Sequence, residues 1–201
     1  MRPHEFIDMV AKAGLARRTT VWHSWFLAGM AVQNGIEGDL VEAGVFAGTN
    51  AAAMWRGAVD HGDARHLHLY DSFQGIPPAG PEDDEAWQSK APYGSACSIE
   101  SVRANMEKWG VDEDWLFYWP GWFEDTLQHH SRKIAVLRLD ADLYESTRLC
   151  VEHLYPHVEP GGVVIVDDFA LKGCRKAVEP ILPNRWHKIP DGGGPVWWRK
   201  E

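Results

Sequence analysis

Apolar side chains recur at helical spacing from Glu5 to Asn34, first as Phe6, Met9 and Val10 and again as Val21, Trp25 and Ala28, with a break near Gly14. This spacing predicts two helices. The run DLVEAG, Asp39 to Gly44, is short and apolar and ends in glycine, and the segment Asn50 to Val59 that follows the turn Val45 to Gly48 predicts a helix. HLHLY, His66 to Tyr70, alternates and stops at Asp71, which predicts a strand with a carboxylate at its carboxyl end. Ser98 to Trp109 is again helical with Ser98 as N-cap, and Leu116 to Trp119 predicts a strand. IAVLRL, Ile134 to Leu139, and GVVIV, Gly162 to Val166, are nearly continuous apolar runs of the kind buried on both faces of a sheet. Between them Ser146 to Leu154 predicts a helix closed off by Pro156 and Pro160, and Gly192 to Gly194 predicts a turn just before Trp197 and Trp198.

Strands alternating with helices predict an α/β fold, a doubly wound and mostly parallel sheet with helices on both faces. Residues 1–37 form an N-terminal helical segment packed on the core, and residues 38–201 form the α/β domain. From Ser72 to Tyr93 the prolines Pro77, Pro78, Pro81 and Pro92 and the acidic stretch Glu82 to Glu85 rule out regular structure for most of the segment. A loop this long in a compact domain predicts a lid over about residues 73–95.

A length of 201 residues with 45% hydrophobic composition fits one globular unit. The formal charge of -9 disfavours nucleic acid and anionic lipid as partners. No apolar run approaches the roughly 20 residues of a membrane span, and Met1 to Asp8 does not read as a signal peptide, so the expected location is the cytoplasm. Cys97, Cys150 and Cys174 are an odd number at wide spacings and read as free thiols. The eleven tryptophans read mainly as packing residues. Among the histidines, His66 and His68 read as packed within a strand, whereas His129 and His130 fall in a polar turn and read as solvated. None is assigned a chemical role.

Two groups of residues carry chemistry. Glu42, Gly44 and Gly48 form E-x-G-x-x-x-G, a turn that lets a ligand approach the backbone. Its spacing departs from the dinucleotide fingerprint and suits a donor without pyrophosphate, S-adenosylmethionine. Asp71, at the end of the next strand, is placed to accept hydrogen bonds from ribose hydroxyls, or else to cap a turn. Asp140 and Asp142 follow one interior strand, and Asp167 and Asp168 follow another. Like charges gathered in a cleft are costly without a cation, and an all-oxygen set suits magnesium, manganese or calcium. The alternative is that these acids cap helices or pair with Arg138, Arg148 or Arg175. With a metal at Asp140, Asp167 and Asp168, Asp142 is the candidate base for methyl transfer to a hydroxyl, and a metal-dependent hydrolase is the competing reading of the same acids.

The segments DLVEAGVFAGTN, LYDSFQGIP, PGWFEDTL, LRLDADLYEST, GGVVIVDDF, GCRKAVEPI and DGGGPVWWRK resemble the macrocin O-methyltransferase (TylF-type) family, from about Gly38 to Lys200. The resemblance implies a class I, Rossmann-like methyltransferase fold, S-adenosylmethionine as donor, Mg2+ (or Mn2+) dependence and sugar hydroxyls of natural products as acceptors. A phenolic or catechol hydroxyl is chemically compatible with the same metal. Residue by residue, the resemblance implies Asp140, Asp167 and Asp168 as metal ligands and Asp142 as general base. It implies Glu42, Gly44, Asp71 and Ser72 as donor contacts, Gly121 and Trp122 near the adenine ring, and Tyr144 and Glu145 at the border of the metal site. The chain starts shorter than the family pattern and carries two tryptophans near its end. A homo-oligomer, most simply a dimer, is expected.

Overall fold

The computed structural model describes residues 1–89, 96–192 and 194–201. Two helices, α1 (Pro3–Val10) and α2 (Arg18–Gln33), precede the strand β1 (Asp39–Ala43), helix α3 (Thr49–Asp60) and strand β2 (Leu67–Asp71). A single helical turn, α4 (Glu85–Gln88), interrupts the proline-rich loop. Helix α5 (Ile99–Lys108) starts at Ser98, whose hydroxyl accepts the Ser101 N–H as an N-cap does. Strand β3 (Leu116–Pro120), the turn α6 (Phe123–Thr126), strand β4 (Ile134–Leu139), helix α7 (Tyr144–Leu154), strand β5 (Val158–Val166) and helix α8 (Lys172–Val178) complete the alternation. Two short strands, β6 (His187–Lys188) and β7 (Val196–Arg199), close the chain.

The seven strands form one sheet in the order β3-β2-β1-β4-β5-β7-β6. The first five are parallel, and β7 runs antiparallel to both β5 and β6. Successive residues of the central strands supply opposite faces, which is why their runs are continuously apolar. Leu40, Val136, Val163 and Ile165 pack with α1, α2, α3 and α5 through Phe6, Val10, Leu27, Met54 and Met106. Val41, Leu137, Val164 and Val166 pack on the other side with α7 and α8 through Cys150, Leu154 and Val178. The side chains of α1 and α2 thus belong to the same core layer as α3.

Two expectations need correction. Pro160 does not merely close a helix: β5 begins at Val158, and Pro160 lies where the β4 register jumps from Ile134↔Val158 to Val136↔Val163, so it removes no ladder bond. His130 is buried rather than solvated, because its Nδ1 meets the Tyr70 hydroxyl at 2.9 Å and its Nε2 meets the Arg132 carbonyl oxygen at 2.9 Å. His129 is exposed, as read. The proline-rich stretch is irregular over most of its described length, with only the short turn α4 inside it. In the closing turn the Ile189 N–H donates to Pro195 O at 2.8 Å, while Gly193 and residues 90–95 of the expected lid lie outside the described residues. Among the described residues no helix is long and apolar enough to cross a membrane.

Candidate active site

The strand order reverses between β1 and β4, and parallel sheets bind ligands at the carboxyl ends of the strands beside such a switch. A cavity of about 380 Å³ lies there. Gly44, Val45, Asp71, Ser72 and Trp122 line one part of it, and Asp140, Asp142, Asp167 and Asp168 line another.

The glycine turn is built for close approach. Gly44 has φ 87°, and a Cβ there would stand 1.8 Å from the carbonyl oxygen of Asp140, so no other residue fits. Asp71 fixes the turn from the end of the adjacent strand: its Oδ2 accepts the N–H groups of Val45 at 2.7 Å and Phe46 at 3.0 Å, and its Oδ1 accepts that of Phe73 at 2.7 Å. A carboxylate has about four acceptor positions, so Oδ1 keeps capacity for one further donor. Ser72 closes its own turn, donating to Gly75 O and accepting from Gln74 N, both at 3.0 Å. Gly121 donates its N–H to Asp71 O at 3.0 Å and so ties the Trp122 segment to the end of β2. Glu42, Gly48 and Gly121 are not part of the cavity lining; Glu42 is buried beneath it, turned toward Arg138.

The acids meet because the strands are in register. Ala43 pairs with Leu139 and Leu139 with Val166, so the residues that follow β4 and β5 emerge side by side. Asp140, Asp167 and Asp168 each offer a carboxylate oxygen, and these lie within 4.8 Å of one another. Arg138, fully buried below them, donates from Nε to Glu42 Oε1 at 3.0 Å and from Nη2 to Asp140 Oδ2 at 2.9 Å and Asp167 Oδ1 at 2.5 Å. The Asp140 and Asp167 side chains remain 30% and 29% exposed, so the arginine occupies their inner side and leaves the outer side open. Two of these acids thus pair with Arg138, and three converge.

The electrostatics favour a further positive charge. Four carboxylates, those of Glu42, Asp140, Asp167 and Asp168, face one guanidinium. Burial pushes Glu42 up to about 8 against the pull of Arg138. Burial, reinforced by Asp142 and then Asp167, pushes Asp168 up to about 8. Asp140 is held well above the usual carboxylate range by burial and by Asp167, with Arg138 opposing. Glu42 Oε2 and Arg138 Nη1 are buried without a hydrogen-bond partner among the described residues. Asp142 has φ 56°, in the left-handed region that costs a non-glycine residue about 1–2 kcal/mol, and its N–H donates to Asp168 Oδ2 at 3.2 Å. The donor set, all oxygen and in charge excess, fits a hard divalent cation.

The family model described as Macrocin-O-methyltransferase (TylF) matches residues 17–198. The chain belongs to this family. It is accordingly an S-adenosylmethionine-dependent O-methyltransferase, which displaces the hydrolase reading of the acids. It is 41% identical over 176 residues to the 8-demethyl-8-(2,3-dimethoxy-alpha-L-rhamnosyl)-tetracenomycin-C 4'-O-methyltransferase of Streptomyces olivaceus, covering 83% of this chain and 67% of that one. It is 35% identical over 184 residues to the mycinamicin III 3''-O-methyltransferase of Micromonospora griseorubida, covering 85% and 71%. With the demethyldecarbamoylnovobiocin O-methyltransferase of Streptomyces niveus it shares 41% identity over 157 residues, 74% of this chain and 59% of that protein. The structure of the O-methyltransferase NovP superposes with a TM-score of 0.83 at 31% identity, covering 94% of this chain and 82% of that one. The calicheamicin methyltransferase CalS11, at 16% identity and a TM-score of 0.70, shares the class I fold.

Several cavity residues of this methyltransferase escaped the sequence reading. Trp87, Ile76 and Pro77 come from the loop, Phe123 and Ser146 from α6 and α7, and Leu15 and Ala16 from the α1–α2 connection. Asn50, 4% exposed, receives the Ser24 hydroxyl at 3.0 Å. Ile76, Pro77, Phe123 and Ser146 lie within segments that carry the family resemblance, and Trp87 is an aromatic amid acids and prolines. The loop itself is anchored through Asp83, whose Oδ1 accepts the Tyr144 N–H at 2.7 Å and whose Oδ2 accepts the Gly80 N–H at 2.8 Å.

Proposed function

We propose that this methyltransferase moves the methyl group of S-adenosylmethionine to a sugar hydroxyl of a glycosylated natural product. In this reading Asp140, Asp167 and Asp168 hold a divalent cation, Mg2+ or Mn2+, and Asp142 is the base. The observation that carries it is the convergence of three aspartate oxygens within 4.8 Å in the same cavity as the Gly44 turn and Asp71. Two sugar O-methyltransferases among the relatives, named for positions 4' and 3'', support the acceptor class.

A cation held by Asp140, Asp167 and Asp168 would supply a positive charge that eases deprotonation of an acceptor hydroxyl. The protein does the rest by positioning. Asp71 takes a ribose hydroxyl with the free capacity of Oδ1, the Gly44 turn admits the donor against the backbone, and Ser72 and the Gly121–Trp122 segment border the nucleoside. Glu42 and Gly48 act behind this wall, Glu42 through Arg138. Asp142 accepts the acceptor's proton as the methyl–sulfur bond breaks and the new carbon–oxygen bond forms. The loop from Phe73 onward covers the acceptor as a lid, with Trp87 on its inner side. We also propose a homodimer, checked by light scattering.

Incubation with methyl-labelled S-adenosylmethionine and a panel of aryl and alkyl deoxyglycosides tests this function. Label should pass to glycoside only when the cation is present, and Asp142→Asn should abolish transfer while leaving S-adenosylhomocysteine binding intact. Full transfer in excess chelator would remove the cation from the account, and label on a phenol in place of the sugar would change the acceptor class.

A further inference from the structure

The turn α4 exposes Glu85, Ala86 and Gln88 and sets Trp87, half-buried, in the wall of the active-site cavity. Large aromatic side chains ordinarily pack into a core. Among the described residues Trp87 joins neither the layer built on α1, α2, α3 and α5 nor the layer built on α7 and α8. A ring of this size, in a cavity wall and outside both cores, is better explained by a ligand than by packing.

Which ligand follows from where the turn is fastened. Gly44, Asp71 and Trp122 stand at the ends of β1, β2 and β3, on one side of the switch, while the four aspartates follow β4 and β5 on the other. α4 is tied to the second side. Asp83 Oδ1 takes the N–H of Tyr144, two residues after Asp142, at 2.7 Å, and Asp84 Oδ2 takes the N–H of Lys172, four residues after Asp168, at 3.0 Å. The Trp87 N–H donates to Asp84 O at 2.8 Å, and Gln88 Nε2 donates to Asp83 O at 2.9 Å, so the same two residues that grip α7 and α8 also set the turn that carries the ring. Trp87 thus belongs to the half of the cavity where the acceptor hydroxyl must lie.

The rest of the wall says how an acceptor is held. Five of its side chains are aspartates, and among the described residues lining it there is no lysine, arginine or histidine. An acceptor therefore gains nothing there from negative charge of its own, and wide apolar contact is what remains beside hydrogen bonds to the acids. A sugar ring carries its hydroxyls around the edge and C–H bonds on its faces, and the negative face of an indole suits those weakly positive hydrogens.

We propose that Trp87 is an acceptor-specificity residue: one C–H face of the acceptor's sugar ring stacks on its indole, which turns the edge hydroxyls toward the acids. The proposal rests on the sugar-acceptor reading and names the surface that holds the ring. Calorimetric titration of the full chain loaded with S-adenosylhomocysteine and MgCl2 tests it, using the deoxyglycoside of the panel above that the native protein methylates fastest, in the native sequence, Trp87→Ala and Trp87→Phe. Trp87→Ala should weaken glycoside binding, and raise its KM, at least about tenfold, whereas Trp87→Phe, which keeps a flat ring, should lose less than about threefold. S-adenosylhomocysteine affinity and the rate of proteolysis within residues 73–89 of the unliganded protein should not change in either variant. Unchanged glycoside affinity in Trp87→Ala overturns the role of Trp87 alone. Equal losses in the two variants, or faster cleavage of the unliganded loop, would mean that Trp87 holds the loop and does not stack on the acceptor. A native protein that methylates no glycoside of the panel removes the sugar reading, and this proposal with it.

Discussion

Asp83→Ala tests how the loop is held. Asp83 is 5% exposed, and its two oxygens take the N–H of Gly80 and the N–H of Tyr144, the first residue of α7. The fit is tight, since a Cβ at Gly173 in α8 would stand 2.1 Å from Asp83 Oδ1. Flanking contacts fasten the same stretch: Asp84 Oδ2 accepts the Lys172 N–H at 3.0 Å, and Glu82 pairs with Lys176 at 2.6 Å. Hydrogen bonds to a charged group contribute about 1.5–3 kcal/mol each, and two made by one side chain are not additive. The expected loss is therefore about 2–4 kcal/mol. At about 2–4 °C per kcal/mol for a chain of this size, the melting temperature should fall by roughly 5–15 °C. Urea unfolding measures the free energy, and limited proteolysis should show faster cleavage within residues 73–89. Asp83→Asn, which keeps one acceptor oxygen, should lose less. A change below about 0.5 kcal/mol, the size expected of an ordinary surface substitution, would refute the reasoning.

Other outcomes follow from the site and its surroundings. Asp71→Asn should weaken S-adenosylhomocysteine binding by about tenfold or more in calorimetry, because the carboxylate both fixes the Gly44 turn and offers a charged acceptor. Burial, with His68 adding to it, pushes His130 down to about 4 from an ordinary value near 6.5. A group whose folded pKa lies below its unfolded one contributes stability above about pH 6.5 that is lost as pH falls toward 4. Thermal melts at pH 7.5 and pH 4.5 should show a smaller drop in His130→Gln than in the native protein. Equal drops would mean that the Tyr70–His130 bond does not report on pH.

The parts of the fold that could be read from the sequence are those whose environment is uniform along the element. β4 and the later part of β5, residues 162–166, are buried on both faces, so nearly continuous apolar runs betray them, and the aspartates that end these runs are then placed by strand register. β6 is two exposed residues, His187 and Lys188, and α8 opens on Lys172 and Gly173, so neither has a pattern to detect. His130 looked like a turn residue because its partner, Tyr70, lies 60 positions away. Asp83 looked like one more charge in an acidic run, and its burial depends on helix starts supplied much later in the chain. Arg138 was visible only as a rival explanation for the acids. That one arginine can hold the inner oxygens of two aspartates while their outer sides stay open to a cavity is a fact of three dimensions.

The proposed divalent cation would sit among Asp140, Asp167 and Asp168 beside the methyl donor. A crystal grown with S-adenosylhomocysteine and MnCl2, measured at the manganese absorption edge, addresses it in one experiment. A single anomalous peak bounded by the three carboxylates should appear, with the ribose of S-adenosylhomocysteine at Asp71 in the same cavity. Density for S-adenosylhomocysteine with no anomalous peak, or a peak away from these aspartates, would contradict it.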